Sequence, residues 1–375
     1  MKKIEFKIDH IDPLGQGISK NADQVAFIEK TLPGESGNAK AFKTKKKGRL
    51  IFSRLTSTDD LTEVSPLRIE ATCPHFANCS GCHYLHTSYE NEIELKSEIA
   101  TRLFSYVSQM ETAPKIVAAP ERFYYRNRIQ LHYNKVQGKL GFIDSLNGTI
   151  EEIPSCKVIN SKLSLKLAEL YKDNHWLLLV KDSPESGHIE IYERDGVVEV
   201  HTNQRYAFGG FTQVNEVMNQ KMITHLHSEV RKYIKPGTTL LDLFGGAGNL
   251  SKDLSEYPTL VIDGFSPEKM NLATHQEFEE INLYGKGAID EISQKVSPNQ
   301  ELAIILDPPR SGLKNIQELV EKLKPKYIFM INCEVSSAIR DIKSLKLDFK
   351  IKDVTILDLF PGTRHFETVS TLCFC

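Results

Sequence analysis

Polar and apolar positions alternate with a period of two along the first part of the chain, and the period lengthens further on. Lys3-Ile4-Glu5-Phe6-Lys7-Ile8 is the clearest alternating run, the pattern of a half-buried strand. Gly15, Gly17, Pro33-Gly34 and Gly48 punctuate further short runs, Gln24-Val25-Ala26-Phe27-Ile28 among them. Residues 1–66 are therefore predicted to form a small β-barrel. Across 88–107, Ile93, Leu95, Ile99, Leu103 and Val107 recur near helical spacing, which predicts an amphipathic helix. From 115 to about 205 short strands return, and Trp176 falls in one such run, His175-Trp176-Leu177-Leu178-Leu179-Val180. A helix is predicted from Glu216 to about Ile234, entered through Phe208-Gly209-Gly210-Phe211-Thr212-Gln213-Val214-Asn215.

Beyond that helix the pattern alternates strand and helix, as a doubly wound parallel sheet does. Apolar runs at 239–244, 303–306, 327–332 and 354–360 read as strands, and a final strand spans 368–375. If the last two pair as a hairpin, Glu367 sits near the ligand rim of the sheet. The predicted fold class is α/β, with three domains: a small barrel (1–66), a central α+β domain (67–205) and a Rossmann-like doubly wound domain (206–375).

Composition changes this picture little. The chain has 375 residues, 40% hydrophobic and 26% charged, which is ordinary for a globular protein. No apolar run reaches membrane length and the start lacks an apolar signal core, so a cytoplasmic protein without a membrane partner is expected. No feature points to an obligate protein partner. The net charge of −2 does not mark a nucleic-acid binder. Its distribution does: Lys40, Lys43, Lys45, Lys46, Lys47, Arg49 and Arg54 cluster, with Phe42 and Phe52 among them. Cations neutralise phosphates and aromatic rings stack on bases, so this stretch reads as an RNA-binding face. Arg122-Phe123-Tyr124-Tyr125-Arg126-Asn127-Arg128 fits either a single-stranded RNA channel or a strand with a charged outer face.

The cysteines add a second chemistry. Cys73, Cys79 and Cys82 have the spacing C-x5-C-x2-C, and in a chain without a signal such thiols point to a metal. His75, His83 or His86 could supply a fourth ligand to zinc. Cys156 could instead complete an all-cysteine set for zinc or a 4Fe–4S cluster.

A third chemistry lies in the last domain. Gly245-Gly246-Ala247-Gly248 follows a strand, permits a tight turn and lets backbone approach a ligand, with a helix expected after it. The spacing is neither G-x-G-x-x-G nor a P-loop, which argues against dinucleotide and ATPase chemistry. Asp307-Pro308-Pro309 gives a rigid strand exit, and Cys333 ends another strand. Three such features on one rim suggest methyl transfer with a covalent step.

The Gly15-Gln16-Gly17-Ile18-Ser19 turn, Val25-Ala26-Phe27-Ile28 and Leu32-Pro33-Gly34-Glu35 resemble the TRAM domain, an RNA-binding barrel. The chain as a whole resembles the RNA uracil-5-methyltransferase family. The features that carry this are the cysteine loop, F-x-Q-x-N, D-L-F-G-G-x-G-N, D-P-P-R-x-G, the strand-end cysteine and F-P-x-T-x-H-x-E-T. The resemblance implies S-adenosylmethionine as methyl donor and a 4Fe–4S cluster on Cys73, Cys79, Cys82 and Cys156. It implies donor contacts from Gln213, Phe244, Asn249 and Asp307, with Ser266 where the family has a glutamate for the ribose. Either Asp263 substitutes from a shifted register or the Ser266 hydroxyl suffices. Cys333 becomes the nucleophile and Glu367 the proton acceptor. Glu334 and Val335 depart from the Ser-Cys-Asn-Pro setting of the nucleophile, and Glu334 is expected to raise the thiol pKa. The implied reaction is methylation of carbon 5 of a uridine, in 23S ribosomal RNA ahead of transfer RNA. A non-catalytic RNA-binding homologue is the alternative.

Overall fold

A computed structural model describes residues 3–21, 23–205, 213–266, 270–297 and 300–374. The chain forms two compact units that interleave in sequence. The first comprises Met1–Ile99, Ala119–Glu216 and Phe360–Arg364; the second comprises Ala100–Ala118, Val217–Leu359 and His365–Cys375.

The first unit opens with a seven-stranded sheet made of β1 (Lys3–Lys7), β2 (His10–Ile11), β3 (Gln16–Asn21), β4 (Gln24–Glu29), β5 (Ser36–Lys45), β6 (Leu50–Arg54) and β7 (Leu61–Glu63). The order is β1-β5-β6-β4-β3-β2, with β7 on β5. The alternation predicted for β1 holds: Ile4 and Phe6 are buried and Lys3, Glu5 and Lys7 exposed. The sheet's two ends meet where the Lys7 N–H donates to Ser19 Oγ (3.1 Å) and the Asp9 N–H to the Ile18 carbonyl (2.9 Å). Lys43, Lys45, Lys46, Lys47 and Arg49 are exposed around the β5–β6 turn. Lys45 lies over the Phe52 ring (5.5 Å), and Phe52 stacks on Phe27 (5.1 Å). Arg54 is not part of this face. It is buried, ion-paired to Glu29 (2.7 Å) and Asp144 (2.9 Å).

The chain then enters α1 (Tyr89–Phe104), and β8 (Lys115–Val117) joins the second unit. Back in the first unit, β9 (Arg128–Asn134), β10 (Lys139–Ile143), β11 (Ile150–Glu152), β12 (Ser186–Arg194) and β13 (Val197–Thr202) make an antiparallel sheet in the order β11-β10-β9-β12-β13. Against it packs α2 (Ser161–Tyr171), which strand reading missed although Leu163, Leu167 and Leu170 have helical spacing. Its start is fixed by Asn160, whose side chain accepts the Leu163 N–H. The run around Trp176 is also helical, not a strand: α3 spans Trp176–Leu179. Trp176 and Val180 are buried four residues apart while Leu178 and Leu179 face solvent. A short apolar run does not distinguish the two states by itself.

The arginines of 122–128 are structural. Arg122 donates to Glu92 Oε2 (2.8 Å) and to the carbonyls of Thr87 and Tyr84. Glu92 also takes Lys96 (2.8 Å) and the Gly362 N–H (2.6 Å), so this buried carboxylate clasps the late 360–364 segment into the first unit. Arg128 is buried against Glu190 (3.4 Å) and over the Tyr192 ring (4.6 Å). Neither reading of this stretch from sequence, RNA channel or charged outer strand face, describes these two side chains.

In the second unit α4 (Glu216–Tyr233) matches the predicted helix; residues 206–212 of its approach lie outside the described residues. The sheet that follows contains β14 (Thr239–Leu243), β15 (Thr259–Asp263), β16 (Gln276–Glu280), β17 (Leu302–Leu306), β18 (Tyr327–Asn332), β19 (Lys350–Leu357) and β20 (Glu367–Cys373). Its order is β16-β15-β14-β17-β18-β20-β19-β8. β14 to β18 run parallel, and β20 is antiparallel to both β18 and β19. Helices α5 (Ala288–Lys295), α6 (Ile316–Leu323) and α7 (Val335–Ser344) connect the strands, and β14, β17 and β18 are buried nearly throughout, as central parallel strands are. The helix expected after Gly245–Gly248 is absent: residues 249–253 are turns. Positive φ at Phe244, Gly246 and Gly248 coils the backbone, and Ser251 Oγ donates back to Asp242 Oδ2 (2.6 Å).

Because Arg128 balances a buried carboxylate, Arg128→Met should destabilise the protein by about 3–5 kcal/mol in urea unfolding. Adding Glu190→Gln should restore more than half of that loss. An RNA-contact role would instead leave stability unchanged and weaken RNA binding.

Candidate functional site

Parallel strands deliver their loops to one rim, and in the second unit this rim gathers the predicted catalytic side chains. Asp307 directly follows β17 and its N–H donates to the Leu243 carbonyl at the end of β14 (3.3 Å). Cys333 directly follows β18. Glu367 opens β20, and the register pairs its neighbour Thr368 with Asn332, the residue before Cys333. Tertiary pairing thus brings Cys333 and Glu367 together across 34 positions of sequence.

The electrostatics of this cluster are dominated by burial of acids. Glu367 is 3% exposed, and burial, with Asp307 adding, holds its carboxyl well above the usual range; Arg310 opposes the shift. Burial pushes Asp307 up to about 7, with Asp242 adding to the rise. Asp242, within β14, is raised to about 6 by burial, against its hydrogen bond from Ser251. Its Oδ1 is buried without a partner among the described residues. The Cys333 thiol is pushed up to about 12 by burial first, then by Glu367 and Asp307, while Arg310 counters. Glu334 precedes α7, and Val335 beside it is buried.

The other predicted positions spread around the rim. Phe244 has φ 60° and its ring centroid lies 5.6 Å from that of Tyr284. The Tyr284 hydroxyl donates to the Gly312 carbonyl (2.9 Å), bracing the loop that follows Asp307. Asn249 is exposed. Ser266 is exposed and its N–H donates to Glu280 (3.1 Å). Asp263 ends β15 and accepts the Gly246 N–H (3.0 Å), so the acid at this strand end supports the glycine turn directly. Gln213 lies in the first unit, where its carbonyl takes the Asn127 side-chain amide (3.4 Å). Reasoning from sequence gave no role to Asp242, Arg310 or Tyr284. Asp242 was signalled by an acid inside an apolar strand, and Arg310 by its place in the quoted D-P-P-R motif.

The four cysteines form a second cluster, within the first unit. Burial raises Cys82, and Cys156, Cys79 and Cys73 raise it further, so each of the other three thiols acts on it. Cys79 and Cys73 act in the same way on Cys156. The four are free thiols, and the Gly81 N–H donates to Cys79 Sγ (3.3 Å). The Lys30 ammonium is hydrogen-bonded to the carbonyls of Cys79 (2.9 Å) and Cys82. Burial lowers it to about 8, and Cys82 and Cys79 oppose that shift. His75 contacts Ser155 Oγ (3.1 Å) and His86 stacks on Phe76. Among the described residues no three His, Cys, Asp or Glu side chains converge as ligands of a single ion.

A sequence model of the tRNA (uracil-5-)-methyltransferase family matches residues 291–373, the stretch that holds Asp307, Cys333 and Glu367. Over 98% of its length the chain is 25% identical to the 23S rRNA (uracil(1939)-C(5))-methyltransferase of Pectobacterium carotovorum, covering 93% of that protein. It is 26% identical, over 95% of its length, to the enzyme of the same name from Legionella pneumophila, covering 94% of it. The crystal structure of Pyrococcus abyssi tRNA (uracil-54, C5)-methyltransferase in complex with S-adenosyl-L-homocysteine superposes with a TM-score of 0.67 at 20% identity, over 98% of this chain and 99% of that one. At that identity the likeness is one of fold.

The raised Asp307 carboxyl carries a pH-dependent cost. A folded-state value of about 7 against an ordinary 3.8 means that folding is unhindered below pH 4 and opposed increasingly up to pH 7. Asp307→Asn should therefore raise stability at pH 8 by on the order of 4 kcal/mol and leave it nearly unchanged at pH 4. Paired denaturant titrations at the two pH values check this.

Proposed function

We propose that the chain is a member of the RNA uracil-5-methyltransferase family and methylates carbon 5 of a uridine in RNA, with 23S ribosomal RNA as the favoured substrate. The observation that carries this reading is the meeting of Cys333 with Glu367 and Asp307 at one rim. S-adenosylmethionine supplies the electrophilic methyl group.

Carbon 5 of uracil is a weak nucleophile. A Cys333 thiolate adding to carbon 6 turns the ring into an enolate whose carbon 5 can attack the methyl group. Glu367 then takes the proton from carbon 5, the carbon 5–carbon 6 double bond re-forms and Cys333 leaves. A carboxyl held above its ordinary range is a stronger base once ionised, which suits this step. Arg310 opposes the pKa rise at both groups and is the cation that favours their charged forms. Asp307 and Asp242 make the rim receptive to a cationic ligand, which fits a sulfonium donor. Phe244, Asn249 and Ser266 are assigned to the donor by position on the rim, and Gln213 by its motif alone.

The strands of 1–66 are read as a TRAM-like RNA-binding barrel, 67–205 as the module bearing the cysteines and 206–375 as the transfer domain. The four thiols, which influence one another electrostatically, with a buried ammonium hydrogen-bonded to two of their carbonyls, suit a 4Fe–4S cluster held by Cys73, Cys79, Cys82 and Cys156. Zinc is the competing occupant. Among the described residues no helix is long and apolar enough to cross a membrane.

The test is methyl transfer from labelled S-adenosylmethionine to unmodified ribosomal and transfer RNA. Wild type should place label in 5-methyluridine of 23S RNA, and Cys333→Ala should place none. Glu367→Gln should stall after addition and accumulate a denaturant-stable protein–RNA adduct. Label on transfer RNA alone would reassign the substrate, and no label from a folded, loaded protein would favour a non-catalytic RNA binder.

The exposed lysines give a separate expectation. Lys45, Lys46 and Lys47 changed together to Ala should weaken RNA binding and reduce the slope of log K against log salt by up to about 3. Filter binding at several salt concentrations measures both, and an unchanged slope would remove these lysines from the RNA face.

A further inference from the structure

Lys30 is an unusual residue by three independent measures. It is a lysine only 4% exposed. Its backbone is left-handed, at φ 66°, where a side chain is disfavoured. Its ammonium is spent on carbonyl oxygens: those of Cys79 (2.9 Å) and Cys82. It also lies 4.2 Å from the centroid of the Phe76 ring, between Cys73 and Cys79 in sequence. Burying an ammonium is costly unless a negative charge or dipole offsets it, and two carbonyls and a ring offset it only in part. The other buried cation near this loop, Arg54, is matched by Glu29 and Asp144. Glu29 also acts on Lys30 but is already ion-paired to Arg54, and the further negative charge is what four thiolates would bring.

We propose that Lys30 is the positioning and charge-compensating residue of the four-cysteine centre. Its hydrogen bonds pin the Cys79–Cys82 turn, so that the two sulfurs are held before anything binds them. Its fixed positive charge lowers the energy of adding negative charge to the centre. The potential of an iron–sulfur cluster follows its net charge, its hydrogen bonds and its exposure, and Lys30 acts on the first two. This inference rests on the cluster reading given above. It goes beyond that reading because Lys30 lies in the first sheet's segment, 43 positions before the first cysteine, and is not itself a ligand.

The experiment compares anaerobically purified wild type with Lys30→Gln, Lys30→Met and Lys30→Arg. Iron and sulfide per chain, the rate of bleaching by a chelator and the potential in an EPR-monitored titration are read for each. Lys30→Gln keeps a donor and loses the charge. It should bleach at least tenfold faster and shift the one-electron equilibrium towards the oxidised cluster at least tenfold, 59 mV more negative. Lys30→Arg should recover most of both. Lys30→Met should show the larger loss of iron, and if it does not fold, Lys30→Gln alone decides. A loaded wild type with Lys30→Gln unchanged in potential and bleaching overturns the role of Lys30 and leaves the cluster standing. A folded wild type without iron and sulfide overturns the cluster, and this inference with it.

Discussion

The position of β20 is the constraint on which the pairing of Cys333 with Glu367 depends. It enters antiparallel between β18 and β19, in a sheet whose central strands are parallel. That register sets Glu367 at the rim beside the residue that follows β18. A slip of one position would turn Glu367 to the opposite face of the sheet and remove the acid from the thiol. The strand is buried along its whole length, so its apolar neighbours resist such a slip. Asp307, Arg310 and the glycine turn then assemble around a pair whose separation the ladder has already fixed.

The rim holds its acids in an unfavourable state. Asp242, Asp307 and Glu367 are all raised, chiefly by loss of water; Arg310 works against the rise at Glu367 and the Ser251 hydrogen bond against that at Asp242. Perturbed acids of this kind cluster where chemistry occurs, and here they surround a strand-end cysteine. Burial raises the Cys333 thiol with them, and Glu367 and Asp307 add to that rise.

The sequence made the sheet legible where burial is continuous. β14, β17 and β18 are apolar runs of five or six residues bounded by turn chemistry, and they fell where expected. The rim residues followed, because strand ends in such sheets define the ligand side. What was not legible depends on partners distant in sequence. Arg54, Arg122 and Arg128 read as surface cations because Asp144, Glu92 and Glu190 are not visible as their partners in a linear pattern. Trp176 read as a strand because four apolar residues carry no period. The helix expected after Gly248 failed for a local reason: Ser251 turns back onto Asp242 and Gln276 holds the Gly248 carbonyl.

The Glu92 clasp bears on synthesis as well as stability. The first unit is complete only when Phe360–Arg364 has been added to Met1–Ile99 and Ala119–Glu216. On a ribosome those late residues follow about 150 residues after the preceding part of the unit, on the order of ten to thirty seconds at 5–20 residues per second. During that interval Glu92 already has Lys96 and Arg122 but not the Gly362 N–H. The nascent chain thus carries a nearly finished module whose last clasp arrives with the segment that delivers Glu367, so that completion of one unit and of the rim in the other are synchronised by translation itself.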